Sequence, residues 1–221
     1  MSTTDTSLKL CMLSGSFEYD SEESLVILRD YLHANDPVEC ELVVFESEED
    51  EQSLAAIDDA DVVVVFTRRL LTAGAALERF QRYCHDGRPV VGVRTASHGF
   101  QNWLDFDRDV LGGHYEGHYG SGATTKVGFA PDVLEHPVLQ RGEPLDAHGS
   151  LYKNPPLADD TDLLLVWQEG EHRESVAWTC ERAGRAFYTS LGHQHDFWEL
   201  DFLRLVRNGI LWSVNQPNTP R

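Results

Sequence analysis

Lysine is scarce in this 221-residue sequence: Lys9, Lys126 and Lys153 stand beside fifteen arginines and 37 acidic residues. The formal charge of −19 leaves no basic stripe for neutralising phosphates, which argues against a nucleic-acid binder. The same charge repels anionic bilayers, so a membrane is not an expected partner either. Long apolar runs are missing too. Stretches such as 62–66 are strand-length, far short of the roughly 20 residues that span a membrane. Residues 1–7 have neither the basic start nor the apolar core of a signal peptide. Cys11, Cys40, Cys84 and Cys180 are scattered, with no CxxC pair. Cys11 lies in a strand-like run and Cys84 in a helix-like one, which predicts buried free thiols and a reducing cytoplasm.

Hydrophobic residues make up 41% of the chain, with ten Phe, seven Tyr and five Trp, which excludes general disorder. A chain of this length closes one core without metals or disulfides. The expected organisation is a disordered tail at 1–7, a single domain over 8–215 and a C-terminal tail at 216–221.

Apolar runs alternate with amphipathic segments in the first half, the pattern of βαβ units. Strands are expected at 8–13, 42–45, 62–66 and 89–94. The unbroken Val62-Val63-Val64-Val65-Phe66 suits a central parallel strand covered on both faces. Leu25, Leu28 and Leu32 follow Ser21 at helical spacing, and a second helix is expected over 73–85, stopped by Gly87. The acidic run 46–51 reads as a solvated helix entry. Glycine-rich 112–120 reads as a loop. Shorter strands are expected at 126–129, 163–168, 176–180 and 186–190, and a closing helix over 197–214. The fold class is a doubly wound α/β domain.

Such sheets bind ligands beyond the carboxyl ends of their strands. Four expected strand ends carry polar residues there: Ser14-Gly15-Ser16-Phe17, Thr67-Arg68-Arg69, Arg94-Thr95-Ala96-Ser97-His98 and Leu191-Gly192-His193-Gln194-His195. The stretch from Gly92 to Gly99 has the pattern of a nucleophile elbow, a strand turning sharply into a helix. Its elbow residue is Arg94, whose guanidinium stays charged and cannot attack a carbonyl. Adjacent residues on a helix diverge, so a nucleophilic Ser97 would need another histidine such as His193, and a helix-start cap is the plainer role.

His98, His114, His118, His148, His193 and His195 make up six of the ten histidines. Imidazole ligates divalent metals, so His98, His118 and His193 are metal candidates; no HExxH or CxxC accompanies them, and solvated or hydrogen-bonded histidines are the alternative. Arg68 and Arg94 suit a carboxylate, a phosphate or sugar hydroxyls, with internal salt bridges the equal alternative. Trp198, beside His193 and His195, is the best candidate for stacking on a sugar, whereas Trp178 and Trp212 fit core positions.

A family resemblance runs through these residues. Ser175-Val176-Ala177-Trp178-Thr179, the run Gly184-Arg185-Ala186-Phe187-Tyr188-Thr189-Ser190-Leu191-Gly192-His193, Asp196-Phe197-Trp198 and Asn208-Gly209-Ile210-Leu211-Trp212 resemble ThuA-like (trehalose-utilisation) proteins. Upstream, Val91-Gly92-Val93-Arg94, Ser97-His98, Gly112-Gly113-His114, His118, His136-Pro137-Val138-Leu139 and Ser150-Leu151-Tyr152 follow in the family's order. The likeness covers about 8–215.

It implies a flavodoxin-like, class I glutamine amidotransferase-like sheet, mostly parallel, with helices on both faces. It also implies that Arg94 replaces the amidotransferase cysteine and that His193 stands where the triad histidine would be. The implied role is bacterial sugar catabolism, alongside oxidoreductases that make 3-keto-disaccharides. Gly149-Ser150 departs from an Asp-Glu found in many relatives; a lost acidic role would pass to Glu116, Asp196 or Glu199.

Three functions follow. The first is a sugar-catabolic enzyme with His193 and His98 catalytic and Arg94, Ser97, Arg68, His118, His195 and Trp198 binding substrate. The second is a non-catalytic sugar-binding module, and the third a histidine-rich metal-dependent hydrolase.

Overall fold

The computed structural model describes residues 7–120, 125–169 and 172–215. The tails expected at 1–7 and 216–221 therefore lie outside the described residues, Ser7 excepted.

Nine strands form one sheet: β1 (Leu8–Gly15), β2 (Val38–Val44), β3 (Val62–Thr67), β4 (Val90–Val93), β5 (Thr125–Phe129), β6 (Leu145–Ala147), β7 (Thr161–Glu169), β8 (His172–Cys180) and β9 (Ala186–Thr189). Their order is β2-β1-β3-β4-β9-β8-β7-β5-β6. Among the described residues three α-helices accompany them: α1 (Ser21–Asn35), α2 (Gly74–His85) and α3 (Leu200–Ser213).

Strand periodicity divides the core in two. Leu8, Leu10 and Met12 of β1, with Val62, Val64 and Phe66 of β3, face α1 and α3, meeting Leu25, Leu28 and Leu32 of α1 and Phe202, Val206 and Ile210 of α3. Cys11, Leu13, Val63 and Val65 face the other way, toward Phe80, Tyr83 and Cys84 of α2. All six residues of β3 are buried, as a central strand between two covered faces requires.

The sheet is mixed, which corrects the expectation of a mostly parallel one. β2, β1, β3, β4 and β9 pair in parallel, and β9-β8, β8-β7, β7-β5 and β5-β6 pair antiparallel. For β8-β9 and β8-β7 the reason is connection length. A parallel crossover needs a dozen or more residues, and only residues 170–171 and 181–185 separate β7 from β8 and β8 from β9.

Several boundaries also shift. The helix expected at 197–214 is α3 preceded by a separate 3-10 turn, Gln194–Trp198, whose N-cap is His193. The acidic run 46–51 enters no helix; its partly exposed Asp50 accepts hydrogen bonds from the Glu46 N–H and the Gln52 side chain within the loop. β6 is an edge strand without a matching expectation. Cys11, Cys84 and Cys180 are buried free thiols as expected, and Cys40 is a free thiol that is half-buried. No helix among the described residues is long and apolar enough to cross a membrane.

Helix α3 approaches β9 so closely that a Cβ on Gly209 would overlap the Phe187 ring. Gly209→Ala is expected to lose about 1–3 kcal/mol by overpacking. That exceeds the roughly 1 kcal/mol an alanine returns in helix propensity. A denaturant midpoint that drops with an unchanged slope checks it; an unshifted midpoint refutes the tight contact.

Candidate functional site

The carboxyl ends of β1, β3, β4 and β9 converge, and Arg94 sits at their centre. It follows β4 at the start of a 3-10 turn (Arg94–His98), with a left-handed φ of 47°. The expected elbow is thus present in its backbone, although a 3-10 turn replaces the expected helix. The side chain is 1% exposed. Its Nη1 donates to the Ser190 carbonyl at 3.1 Å, and its Nη2 to the Tyr19 hydroxyl and the Ser150 carbonyl, both at 3.2 Å. The guanidinium carbon lies 4.3 Å from the Tyr19 ring centre and 5.1 Å from that of Tyr152. Tyr188 donates to the Arg94 carbonyl at 2.6 Å.

Contacts run outward from Arg94 to both candidate catalytic histidines. Tyr19 meets the His193 ring edge-on at 5.9 Å, and Tyr152 lies 5.9 Å from the His98 ring. His98 stacks on Tyr115 at 4.5 Å. Gly149 allows this closeness: a Cβ there would lie 2.8 Å from Arg94 Nη2 and 2.9 Å from the His193 ring.

Burial, aided by Arg68, Arg69, Arg94 and His118, pulls the His98 pKa down to about 3, so its ring is neutral at neutral pH. Burial and then Arg94 also lower that of His193, with Asp196 opposing them. His193 Nδ1 accepts from the His195 N–H at 3.3 Å, which assigns the proton of the neutral ring to Nε2.

The most connected polar group here is Asp196, which sequence reasoning had weighed only as a stand-in acid. It is 2% exposed. One oxygen accepts from the His148 N–H at 2.9 Å and its Nδ1 at 2.8 Å; the other accepts from the Gly192 and His193 N–H groups, both at 2.9 Å. With four hydrogen bonds accepted, it positions the turn and does not stand free as an acid. Against this carboxylate His148 Nδ1 is the donor. His148 and Asp196 also line a cavity of about 450 Å³ with Lys126, Leu191, Glu199 and Phe202.

Other expected residues fare differently. Ser97 and His98 do not diverge: the 3-10 turn brings Ser97 Oγ to 3.1 Å from His98 Nδ1, and Ser97 caps no helix. Arg68 forms an ion pair with Glu18 at 3.0 Å. Ser14 and Ser16 face inward and bond Ser21 and Thr95, so they serve the turn and not the crevice. His118 is on the exposed loop, its Nδ1 2.8 Å from the Tyr119 carbonyl. His195 is exposed, with its ring 5.1 Å from His193 and 5.4 Å from His148. Trp198 is 65% exposed. Trp178 is core, donating to the Leu111 carbonyl at 2.7 Å, and Trp212 packs on the core as expected.

His98, His118 and His193 are not gathered as a ligand set. Among the described residues no three His, Cys, Asp or Glu side chains are placed to hold a metal ion. Glu116 is exposed beside His114. Tyr19, Tyr115 and Tyr152 belong to the candidate site without being among the expected site residues; Tyr152 stands in the family run Ser150-Leu151-Tyr152, and nothing in the spacing marks the other two. Asp196 did carry a signal, since it lies three residues after the N-cap His193 and completes a capping box.

An α/β sheet of this order, with a strained strand-to-turn junction at the centre of its carboxyl edge, defines a glutamine amidotransferase-like fold. The family model described as trehalose utilisation (ThuA) matches residues 12–213, and the chain belongs to that family. No curated protein matches it significantly. A ThuA-like protein from Parabacteroides merdae superposes with a TM-score of 0.77 at 19% identity, covering 98% of this chain and 93% of its own. One from Bacteroides uniformis gives 0.76 at 15% identity, covering 100% and 97%. A glutamine amidotransferase from Thermotoga maritima gives 0.56 at 12% identity, covering 96% and 100%. At these identities the likeness concerns the fold.

Two outcomes test the site. Asp196→Ala leaves three N–H donors and the His148 ring without their acceptor and is expected to cost about 2–4 kcal/mol in denaturant unfolding. A loss below about 0.5 kcal/mol would show that these bonds do not hold the turn. For His98, the folded pKa lies below the unfolded value of about 6.5. The unfolded chain therefore binds the proton first, and stability falls as pH drops from about 6.5 toward the folded value near 3. Between pH 6.5 and about 4.5, above the ordinary carboxylates, His98→Gln should show a shallower fall than wild type. Parallel slopes would remove His98 as a buried neutral ring.

Proposed function

We propose that this protein acts in carbohydrate catabolism on a disaccharide or its 3-keto derivative. The observation that carries the reading is the line of contacts from His98 through Tyr152, Arg94 and Tyr19 to His193 at the sheet's carboxyl edge. Three tyrosines and two neutral histidines offer hydrogen-bonding edges and flat faces, the surface that sugar hydroxyls and ring C–H groups match. Glutaminase chemistry needs a thiolate at the elbow, and Arg94 there supplies no nucleophile. The four cysteines are free, which supports work in a reducing cytoplasm.

His193 is the proposed general acid–base group. Its Nε2–H is available to donate, and its lowered pKa keeps the neutral form populated near neutrality. His98 is the second catalytic candidate, with Ser97 beside it. Arg94 is the proposed polar anchor, and Arg68, His118, His195 and Trp198 are further proposed substrate contacts.

The alternative of a binding module that turns over nothing draws support from Asp196, whose oxygens are already engaged. A metal-dependent hydrolase has less support, because the candidate histidines are dispersed.

Incubation with trehalose and 3-keto-trehalose, followed by chromatography, tests the reading. Wild type should form product, and His193→Ala should lose turnover about 100-fold or more while unfolding at an unchanged midpoint. Retained turnover in the variant would remove His193 from the chemistry. Saturable binding without product would establish the module instead.

A further inference from the structure

The sign of the charge reverses at the crevice. The protein carries −19 overall, yet Arg68, Arg69 and Arg94 gather at the ends of the adjacent strands β3 and β4. After burial, all three lower the His98 pKa. Their compensation is incomplete. Arg68 is paired with Glu18. The exposed Arg69 side chain has no carboxylate partner among the described residues. Arg94 is buried, and its hydrogen-bond acceptors are two carbonyls and a phenol, all neutral. Asp196 is the carboxylate that Arg94 senses, but its own hydrogen bonds go to His148, Gly192 and His193.

The backbone points the same way. Arg69 and Arg94 both adopt left-handed conformations, with φ of 53° and 47°, which side chains other than glycine adopt at a cost. The Arg69 N–H donates to the His98 carbonyl at 3.0 Å, so the two strained turns are tied together. Of the two readings open for these arginines, internal salt bridges account for Arg68 alone. A neutral sugar gives no reason for two cations held without counter-charges beside a neutral histidine. An anionic group does, and arginine's planar fork suits both carboxylate and phosphate.

We propose that the crevice takes an anionic sugar, its carboxylate or phosphate held by Arg69 and Arg68 within the field of Arg94. The proposal rests on the reading of a sugar ligand above and replaces the neutral disaccharide by an anionic one. The acidic exterior repels such ligands at long range, and the cationic mouth provides the local attraction.

Calorimetric titration of the full-length protein with glucuronate, glucose 6-phosphate, glucose, trehalose and sulfate tests it, at low and high salt. Glucuronate or glucose 6-phosphate is expected to bind about tenfold or more tightly than glucose, with that preference shrinking as salt rises. The tighter of the two identifies carboxylate or phosphate as the recognised group. Arg69→Gln, at an exposed position, should bring the preferred anion to within about threefold of glucose while glucose itself is unaffected. Glucose or trehalose binding as tightly as the anions would overturn the charge preference and leave the sugar reading standing. Sulfate binding as tightly as the sugar anions would show a plain anion site and overturn the sugar reading and with it the proposed anionic sugar, and no binding by any of the five would overturn the charge preference as well. An anion preference untouched in Arg69→Gln would overturn the assigned residues.

Discussion

A buried guanidinium without a bonded counter-ion is the constraint around which this end of the molecule is arranged. Arg94 contacts the residue after β9, the loop before β7 and the turn after β1, all through neutral acceptors. Removing a charge of this kind from water costs several kcal/mol unless donors are satisfied and polarisable faces lie close. Tyr19 and Tyr152 supply those faces, and the Ser190 and Ser150 carbonyls accept from Nη1 and Nη2, whereas Nε is buried with no hydrogen-bond partner among the described residues. Gly149 follows from the same demand, because any side chain there would displace either the guanidinium or His193. The placement of both candidate catalytic histidines is thus a consequence of housing one cation.

Asp196 completes the arrangement from behind. It fixes the turn after β9 through two N–H groups and brings in the loop before β7 through His148. Arg94 and Asp196 therefore clamp the same two segments from different sides without bonding each other. That division leaves the cation's field directed at the crevice while the anion is consumed in holding the walls.

Legibility in the sequence followed the range of the interaction. β3 and α2 were plain because five consecutive β-branched or aromatic residues and a 3.6-residue period are local signals. The strand-end location of Arg94, His98 and His193 followed from the general rule for such sheets. The antiparallel half was misjudged because strand direction depends on connection length, which loosely bounded short strands obscure. Ser97 and His98 were separated by an argument valid for an α-helix, and the 3-10 turn reversed it. The tyrosine cluster and the His148–Asp196 bond join residues far apart in the chain, and no periodicity records such a pairing.

The elbow shows how one backbone device serves different ends. In a hydrolase the sharp turn lifts a nucleophile into the crevice, and the strain is repaid by exposure of a reactive atom. Here the same left-handed residue sends a long side chain inward to be buried beneath two tyrosines. Nothing reactive is exposed, so the strain must be offset by what the buried group does for its surroundings. Arginine does two things there that a cysteine could not: it donates to three segments at once, and it remains charged at every physiological pH. The turn has become a means of placing a permanent positive field at the carboxyl edge of an otherwise strongly acidic protein. With His98 kept neutral beside it, that field is free to act on a ligand.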